Sequence, residues 1–209
     1  MPVNYHVGAE VVDIRADKPR ATDSFLVDTN VWFWVTYTRA SMGAEPPRAH
    51  QTRWYPRYLS AARRSRAALK RCGLSLAELA HGIERTEREI YEASAGGTKI
   101  PNKEFRHNLA AERANVATEV QTAWEQVKGI AAPVDVLIDD PTADAALARF
   151  ATQLLDGYDL FIVEALSRAG IVQVLTDDGD YCTVPGIQVF TANERVINAA
   201  QVQAKLLTR

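Results

Sequence analysis

The chain has 209 residues, of which 47% are hydrophobic and 24% are charged, and its formal net charge is −2. This composition is typical of one globular core with room for an insertion. No apolar run approaches the roughly 20 residues that span a bilayer, and the N-terminus lacks the apolar core of a signal peptide. Cys72 and Cys182 form no CxxC motif, and the four histidines are scattered. We therefore expect no membrane partner, no structural zinc site and a reducing, cytoplasmic location.

The charges are distributed unevenly along the chain. Nine basic residues lie between Arg39 and Arg71, where only Glu45 is acidic. Between Asp135 and Asp180 there are ten acidic residues and two basic ones. This asymmetry predicts a polyanionic partner for the basic part and a cation for the acidic part.

The first half of the sequence begins with an irregular lead-in, residues 1–23, which contains a candidate strand in "EVVDI". The apolar run "FLVD" predicts the first strand of the main domain, 24–209, and a helix follows over 32–38. The proline- and arginine-rich stretch 39–73 has the character of an insertion. Its second part, "RYLSAARRSRAALKRCG", predicts a helix that ends near Gly73.

The middle of the sequence is mainly helical. "LSLAELAHGIERTEREIYEAS" predicts a helix, and the spacing of Ser75 and Glu78 matches a capping box. Apolar residues at helical spacing predict one amphipathic helix of about six turns over 105–127. "PVDVLI" predicts a strand, and a helix then begins at Asp140–Pro141 and ends near Gly157. Four residues are expected on the inner face of that helix: Leu147, Phe150, Leu154 and Leu155.

The last part of the sequence alternates again between strands and helices. "YDLFIVEALSRAG" predicts a helix closed by Gly170, "IVQVL" and "IQVF" predict strands, and "TDDGDY" predicts the loop between them. Asn193 is the expected cap of a terminal helix that carries Val196, Ile197, Val202 and Leu206. This alternation predicts an α/β fold whose central sheet is mainly parallel and has about four or five strands.

Several carboxylates are predicted to meet at one edge of that sheet. The eleven residues of the helix that starts at Asp159 span about 16 Å, and the following strand returns over a similar distance, which brings Asp178 to the same edge. Asp28 ends the first strand, and Glu78 opens a helix, so both are expected there too. Clustered carboxylates repel one another unless a cation or a raised pKa relieves the repulsion. A set of oxygen ligands without His or Cys favours Mg²⁺ or Mn²⁺.

Four segments, "FLVDTNVW", "LSLAELAHGIE", "GYDLFIVEALSRAGI" and "VLTDDGDY", occur in the order of the acidic motifs of PIN-domain ribonucleases, and the chain most resembles the VapC-type toxins of toxin–antitoxin pairs. The resemblance covers about residues 24–200. It implies a three-layer α/β/α fold and the hydrolysis of RNA phosphodiester bonds by a protein that binds Mg²⁺ or Mn²⁺. An antitoxin protein and a homodimer are the further partners it implies.

The resemblance also assigns roles to individual residues. It implies that the catalytic residues are Asp28, Glu78, Asp159 and Asp178. The metal ligands would be these four together with Asp180. Supporting positions behind the ligands would be Asn30, Thr176 and Asp177. Among the aspartates of the late loop, Asp178 is the first choice, and Asp177 and Asp180 are the alternates.

The basic stretch is a candidate surface for nucleic acid. Trp54, Tyr55 and Tyr58 lie among its arginines, and aromatic residues interleaved with basic ones suit stacked bases and phosphates. The expected substrate-binding residues are Arg53, Arg57, Arg63 and Arg64. A solvated helix face or a surface for a protein partner would give the same pattern.

Each acidic motif also has a purely structural explanation. Asp28 could cap the helix that follows it, Glu78 could complete the capping box, Asp159 could interact with a helix dipole, and "TDDGDY" could be an acidic turn. Two other functions stay open. One is a phosphatase similar to the haloacid-dehalogenase family, whose first motif has a second carboxylate two residues after the first, where this chain has Asn30. The other is a PIN-like module that binds RNA or protein without catalysis.

Overall fold

The computed structural model describes residues 3–45 and 47–209. Within these residues six strands and eight α-helices alternate along the chain. The strands are β1 (Glu10–Asp13), β2 (Ser24–Val27), β3 (Ala68–Cys72), β4 (Ala132–Val134), β5 (Gln173–Leu175) and β6 (Gln188–Thr191). The helices are α1 (Thr29–Thr36), α2 (Ala49–Ser65), α3 (Ser75–Ser94), α4 (Asn102–Asn108), α5 (Ala110–Ile130), α6 (Asp140–Phe150), α7 (Gly157–Arg168) and α8 (Glu194–Val202). Short 3-10 helices occupy Ala40–Met42 and Asp180–Thr183.

The six strands form one parallel sheet in the order β1-β6-β5-β2-β3-β4. The predicted α/β class and the parallel arrangement are confirmed, but the sheet has six strands rather than four or five. The candidate strand in "EVVDI" is β1, which pairs with β6 at one edge of the sheet. The chain leaves β2 toward β3 on one side and later returns to β5 on the other. Ligand sites of open α/β sheets lie at such a change of direction, outside the carboxyl ends of the strands.

Alternation along the strands divides the core into two layers of helices. Phe25 and Val27 point to the face covered by α1, α2, α3 and α5, whereas Leu26 points to the face covered by α6, α7 and α8. The neighbouring strand repeats this pattern, with Leu175 on the first face and Val174 on the second. Because successive side chains of a strand point to opposite faces, the apolar strands are buried on both sides. The fold therefore has three layers, α/β/α.

Residues 68–72 form β3, so the prediction that the helix continues to Gly73 was wrong. Helix α2 ends at Ser65 because Arg66 adopts a left-handed conformation with φ 65°, and its N–H bonds the carbonyls of Ala62 and Arg63. The sequence of β3, Ala-Leu-Lys-Arg-Cys, consists largely of helix-forming residues. Pairing with β2 and β4 overrides that preference, and the last part of the basic stretch is therefore a strand of the central sheet.

Other boundaries also differ from the prediction. The single helix expected over 105–127 is divided into α4 and α5 at Leu109, whose φ and ψ of −114° and 74° are not helical. The strand expected over "PVDVLI" is β4, which ends at Val134. Gly157 begins α7 instead of ending the preceding helix. The terminal helix, capped by the side chain of Asn193 as predicted, ends at Val202, so Leu206 lies beyond it.

The apolar face predicted for α6 does not point inward. Leu147, Phe150 and Leu154 are 66%, 63% and 67% exposed, and only Leu155 is buried. Leu137 and Ile138, just before the helix, are also exposed. The inner side of α6 is instead formed by the small residues Thr142 and Ala146.

Among residues 3–45 and 47–209, no helix is both long enough and apolar enough to cross a bilayer.

Candidate metal centre

Asp28 lies at the junction between the carboxyl end of β2 and helix α1. It is the N-cap of α1, and one carboxylate oxygen accepts a hydrogen bond from the backbone N–H of Thr29 at 2.6 Å. The other oxygen accepts bonds from the Asn30 amide at 2.5 Å and the Thr176 hydroxyl at 2.6 Å. The carboxylate is 5% exposed, and all of these partners are uncharged. One oxygen of Asp28 therefore caps the helix. The second oxygen is held by the side chains of Asn30 and Thr176.

Asn30 and Thr176 connect the ends of β2 and β5. The Asn30 amide also donates to the Thr176 hydroxyl at 3.2 Å, and its carbonyl accepts from the backbone N–H of Asp177 at 3.1 Å. The Thr176 hydroxyl accepts from the backbone N–H of Asp178 at 2.8 Å. These bonds fix the late loop against the start of α1, and so they fix the position of Asp178 relative to Asp28.

Glu78 does not take part in a capping box. Helix α3 has Leu74 as its N-cap, without a side-chain cap, and Ser75 is the first helical residue. The Glu78 carboxylate accepts a short hydrogen bond from the hydroxyl of Thr29 on α1. This contact leads the carboxylate away from its own helix end and into the space above the sheet.

The start of α7 supplies two further carboxylates. Asp156 caps the helix by accepting from the backbone N–H groups of Tyr158 and Asp159 at 3.2 and 3.3 Å. Asp159 is 4% exposed and accepts from the buried hydroxyl of Tyr181 at 2.6 Å. One oxygen each of Glu78, Asp156 and Asp159 lie within 4.8 Å of one another.

The three aspartates of the late loop have different surroundings. Asp178 faces the other acids across the cleft, and one of its oxygens accepts from the backbone N–H of Asp180 at 2.8 Å. Asp180 itself begins a short 3-10 helix and does not line the cleft.

Asp177 points away from the cleft toward α2. Its carboxylate accepts from Gln51 at 2.8 Å and from Tyr55 at 2.9 Å, and it lies 2.8 Å from a ring nitrogen of His50. These contacts tie the first two turns of α2 to the late loop. Asp177 is therefore bound by side chains of α2, whereas Asp178 lines the cleft with the other acids.

The acids surround a cleft of about 590 Å³ at the carboxyl edge of the sheet. Seven acids line it. Five of them come from the strand ends and helix starts described above, Asp28, Glu78, Asp156, Asp159 and Asp178, and the other two are Glu45 and Glu89. Among the described residues none of the first five forms an ion pair with a lysine or an arginine. Arg48 and Arg85 are the cations among the described lining residues, and Phe33 and Trp34 form part of the wall.

Burial and mutual repulsion raise the pKa values of these acids. Desolvation, with the nearby charges of Asp178 and Glu78, raises the pKa of Asp28 to about 7. Desolvation and the charge of Asp28 raise the pKa of Asp159 to about 9. Burial also raises the pKa of Glu78 and Asp178, with further contributions from the charge of Asp156. Desolvation is the largest cause in each case, and repulsion between the acids adds to it.

The donor set fits a hard divalent cation. Mg²⁺ binds oxygen ligands at about 2.0–2.1 Å, so ligands on opposite sides of one ion are about 4 Å apart. The oxygens of Glu78, Asp156 and Asp159 lie within 4.8 Å of one another, so their side chains would have to move closer together to share one ion. Asp28 and Asp178 line the same cleft and lie close enough for their charges to affect the pKa values of the cluster. The carboxylates also keep a net negative charge that a cation of this kind would neutralise.

The predicted substrate-binding arginines lie elsewhere. Arg53, Arg57, Arg63 and Arg64 are exposed on α2, and none of them lines the acidic cleft. The guanidinium groups of Arg53 and Arg57 lie 4.8 and 5.5 Å from the centre of the Trp54 ring. Tyr55 and Tyr58 are buried in the core, so these two rings are not available for stacking on bases.

Sequence reasoning missed five charged residues of this cleft: Glu45, Arg48, Arg85, Glu89 and Asp156. Asp156 could have been found, because an aspartate three residues before Asp159 and next to Gly157 is a typical N-cap signal. The sequence around Arg48 and Arg85 gives no indication of a place in the cleft. Only the packing of α2 and α3 above the sheet directs these two side chains toward the acids.

Searches of protein-family models, curated proteins and solved structures found no match to this chain.

Proposed function

We propose that this chain is a metal-dependent endoribonuclease of the PIN-domain type, which hydrolyses RNA phosphodiester bonds with Mg²⁺ or Mn²⁺. The observation that carries the proposal is the set of five carboxylates around one cleft, without an ion pair to any described lysine or arginine. Of these five acids Asp28 and Asp159 are buried, and in a purely structural cluster a cation of the protein would be expected beside them, because burying unpaired carboxylates is costly.

In the proposed site Glu78, Asp156 and Asp159 would hold a divalent ion, and Asp28 and Asp178 line the same cleft. When bound, such an ion lowers the pKa of a water molecule and stabilises the charge that develops on the phosphate. The protein contributes the orientation of the ligands. Thr29 directs Glu78 and Tyr181 directs Asp159, in each case through a hydroxyl that donates to the carboxylate.

Two arginines of the cleft are suited to the substrate. Arg48 and Arg85 are exposed and lie on the walls, where they can pair with phosphates on either side of the scissile bond. Phe33 and Trp34 are half-buried at the same cleft and would limit access of water from that side. Because arginine binds phosphate through a planar fork of donors, it also orients the bond to be cut.

A toxin–antitoxin pair is the biological context that we propose for this chain. A VapC-type toxin acts in the cytoplasm on RNA and is held inactive by an antitoxin, and a homodimer is common among such proteins. We propose this context for the chain on the basis of the four acidic motifs. The two cysteines, both free and buried, are compatible with it.

The test is an RNA cleavage assay with Mg²⁺ or Mn²⁺. We expect cleavage by the wild type that is abolished by EDTA and reduced at least 100-fold in Asp28→Asn, Asp159→Asn and Asp178→Asn. Asp144→Asn is a matched control, because Asp144 is an exposed acid on α6 outside the cleft. Cleavage that persists in the three cleft variants, or in EDTA, would contradict the proposed site.

The haloacid-dehalogenase alternative has less support from the site. In that chemistry the residue two positions after the first aspartate is a proton donor. Here Asn30 occupies that position, and its amide and carbonyl bond Asp28, Thr176 and the N–H of Asp177. Rapid metal-dependent hydrolysis of a small phosphate ester, without RNA cleavage, would favour the phosphatase.

A further inference from the structure

A second groove, of about 1060 Å³, continues from the acidic cleft between α3 and α5. Four residues line both cavities: Glu78, Gly82, Arg85 and Asp156. Gly82 lies one turn after Glu78 on α3, and a Cβ at this position would contact the Phe33 ring at 3.5 Å. Because the two cavities share these four residues, they form one continuous path across the first turns of α3.

The chemistry of this path changes along its length. The cleft end is acidic, whereas the groove beyond it contains Arg85, Arg106 and Arg113. Within the described residues Glu84 forms ion pairs with two of these arginines, Arg106 at 2.6 Å and Arg113 at 3.3 Å. Arg85 forms no side-chain hydrogen bond or ion pair with the described residues, and it lies seven positions after Glu78, about 10 Å along the same side of the helix. The groove is lined by three arginines and three acids, and apart from Glu78 and Asp156 at the cleft end its arginines outnumber its acid, Glu84.

An exposed aromatic ring stands beside this arginine-lined groove. Tyr158 is 48% exposed and follows Asp156 by two positions, so its ring lies at the junction of the groove and the cleft. Val116 and Val120 of α5 form part of an apolar wall. A positive groove with an aromatic ring is the combination that binds single-stranded nucleic acid, because the cations pair with phosphates and each base can stack.

We propose that the groove between α3 and α5 binds a single-stranded polynucleotide and leads it into the acidic cleft, with Arg85 on the backbone and Tyr158 under a base. This inference rests on the proposed function for the identity of the strand as RNA. It places the substrate path on α3 and α5, and not on the basic face of α2.

The experiment measures binding without cleavage. A fluorescein-labelled, single-stranded RNA of 12 nucleotides is titrated with the full chain in EDTA at several salt concentrations, and anisotropy gives the Kd. For Arg85→Gln we expect a Kd raised 5- to 10-fold and a salt slope reduced by about 0.7. For Tyr158→Leu we expect a Kd raised about 5-fold with an unchanged salt slope. The control is Arg168→Gln, because Arg168 is an exposed arginine at the C-terminal end of α7.

Kd values of Arg85→Gln and Tyr158→Leu within twofold of the wild type would overturn the proposal, as would equal affinity for a duplex of the same sequence. The doubly substituted variant Arg63→Gln/Arg64→Gln supports the α3–α5 path if it binds normally and contradicts it if it alone loses binding. Single-stranded DNA of the same sequence distinguishes the two polynucleotides, and tighter binding of RNA is expected. Cleavage is measured separately with metal, so a groove that binds RNA without cleavage would refute the proposed function and leave this inference intact.

Discussion

The hydroxyl of Thr29 donates a hydrogen bond to the carboxylate of Glu78, although the two residues are 49 positions apart. Thr29 is the first residue of α1, and Glu78 lies in the first turn of α3. The contact joins the starts of two helices above the sheet, and it lowers the pKa of Glu78 against the opposing effect of burial. A carboxylate held in this way is directed toward the other acids, and burial still raises its pKa overall.

Removal of the Thr29 hydroxyl should lower the affinity for a metal ion more than it lowers the stability of the fold. In Thr29→Val the side chain keeps its shape and Glu78 loses its donor, so we expect the affinity for Mn²⁺ to fall about 3- to 10-fold, by analogy with other supporting contacts of metal ligands. Thr29→Ser keeps the hydroxyl and should bind Mn²⁺ nearly as the wild type does. Isothermal titration with Mn²⁺ gives both values, and equal affinities for the two variants would contradict the role of the hydroxyl.

A neutral residue in the cluster should stabilise the metal-free protein. Asp178→Asn removes one charge that raises the pKa of Asp28, so we expect the free energy of unfolding in EDTA to increase by about 1 kcal/mol. The wild type should gain several degrees in Tm with millimolar Mn²⁺, and the variant should gain much less. Thermal unfolding with and without Mn²⁺ checks both effects. Asp144→Asn should behave as the wild type, and a gain in Asp178→Asn as large as that of the wild type would argue against a metal role for Asp178.

The stability of the metal-free protein should fall as the pH rises from about 5 to 9. The pKa of Asp28 is raised to about 7 and that of Asp159 to about 9, both above the ordinary value near 3.9 in an unfolded chain. The folded state therefore binds more protons than the unfolded state in this range, and each rise in pH favours unfolding. Acids with lowered pKa values, such as Asp23, affect stability only below about pH 4.

Melting temperatures at pH 5, 7 and 9 in EDTA measure this effect. Asp28→Asn/Asp159→Asn should flatten the profile, because the two titrating groups are absent. Mg²⁺ should also reduce the decline, since it binds the deprotonated carboxylates. A wild-type profile that is flat or rises across this range would contradict the raised pKa values.

Asp177 and Asp178 are adjacent, yet their substitution should have opposite effects. Asp177→Asn weakens bonds from Gln51 and Tyr55 in a buried position, so we expect the free energy of unfolding to fall by about 1–3 kcal/mol. The increase in Tm with Mn²⁺ should persist, because Asp177 points away from the cleft. Denaturant titration gives the first quantity and thermal unfolding gives the second. A loss of the Mn²⁺ effect in Asp177→Asn would show that Asp177 is a ligand.

The lead-in should support the late loop through Tyr5. The Tyr5 ring lies against Gly179 so closely that a Cβ at position 179 would clash with it. We expect Gly179→Ala to displace either the ring or the loop, and to weaken Mn²⁺ binding several-fold. Tyr5→Ala combined with Gly179→Ala provides the space again and should recover part of the affinity. Absence of any recovery would indicate that the alanine acts on the loop alone.

The sequence predicted the parts of the fold in which local pattern and tertiary environment agree. The apolar runs of β2, β5 and β6 are strands buried on both faces, and the aspartate that follows β2 lies at the edge where ligands bind in such sheets. The prediction failed at β3, where helix-forming residues are recruited into the sheet by pairing with β2 and β4. It also failed for α6, because the spacing of Leu147, Phe150 and Leu154 marks an apolar face without saying whether the chain covers it.

The candidate site was predictable to a similar extent. Asp28, Asp159 and Asp178 follow strands or begin helices, and the parallel topology brings such positions together. The direction of each side chain was not predictable, since it depends on distant hydrogen bonds. The contact of Glu78 with Thr29 displaces the expected capping box, and the contacts of Asp177 with α2 separate it from Asp178.

The pairing of β2 with β5 has a consequence for a newly made protein. Asp28 and Thr176 are in contact although 148 positions separate them, so the two halves of the acidic cluster leave the ribosome at very different times. A nascent chain that still lacks β5 has neither the late aspartates nor the strand that positions them. Any chemistry that needs the complete cluster therefore begins only after β5 has been synthesised and has paired with β2.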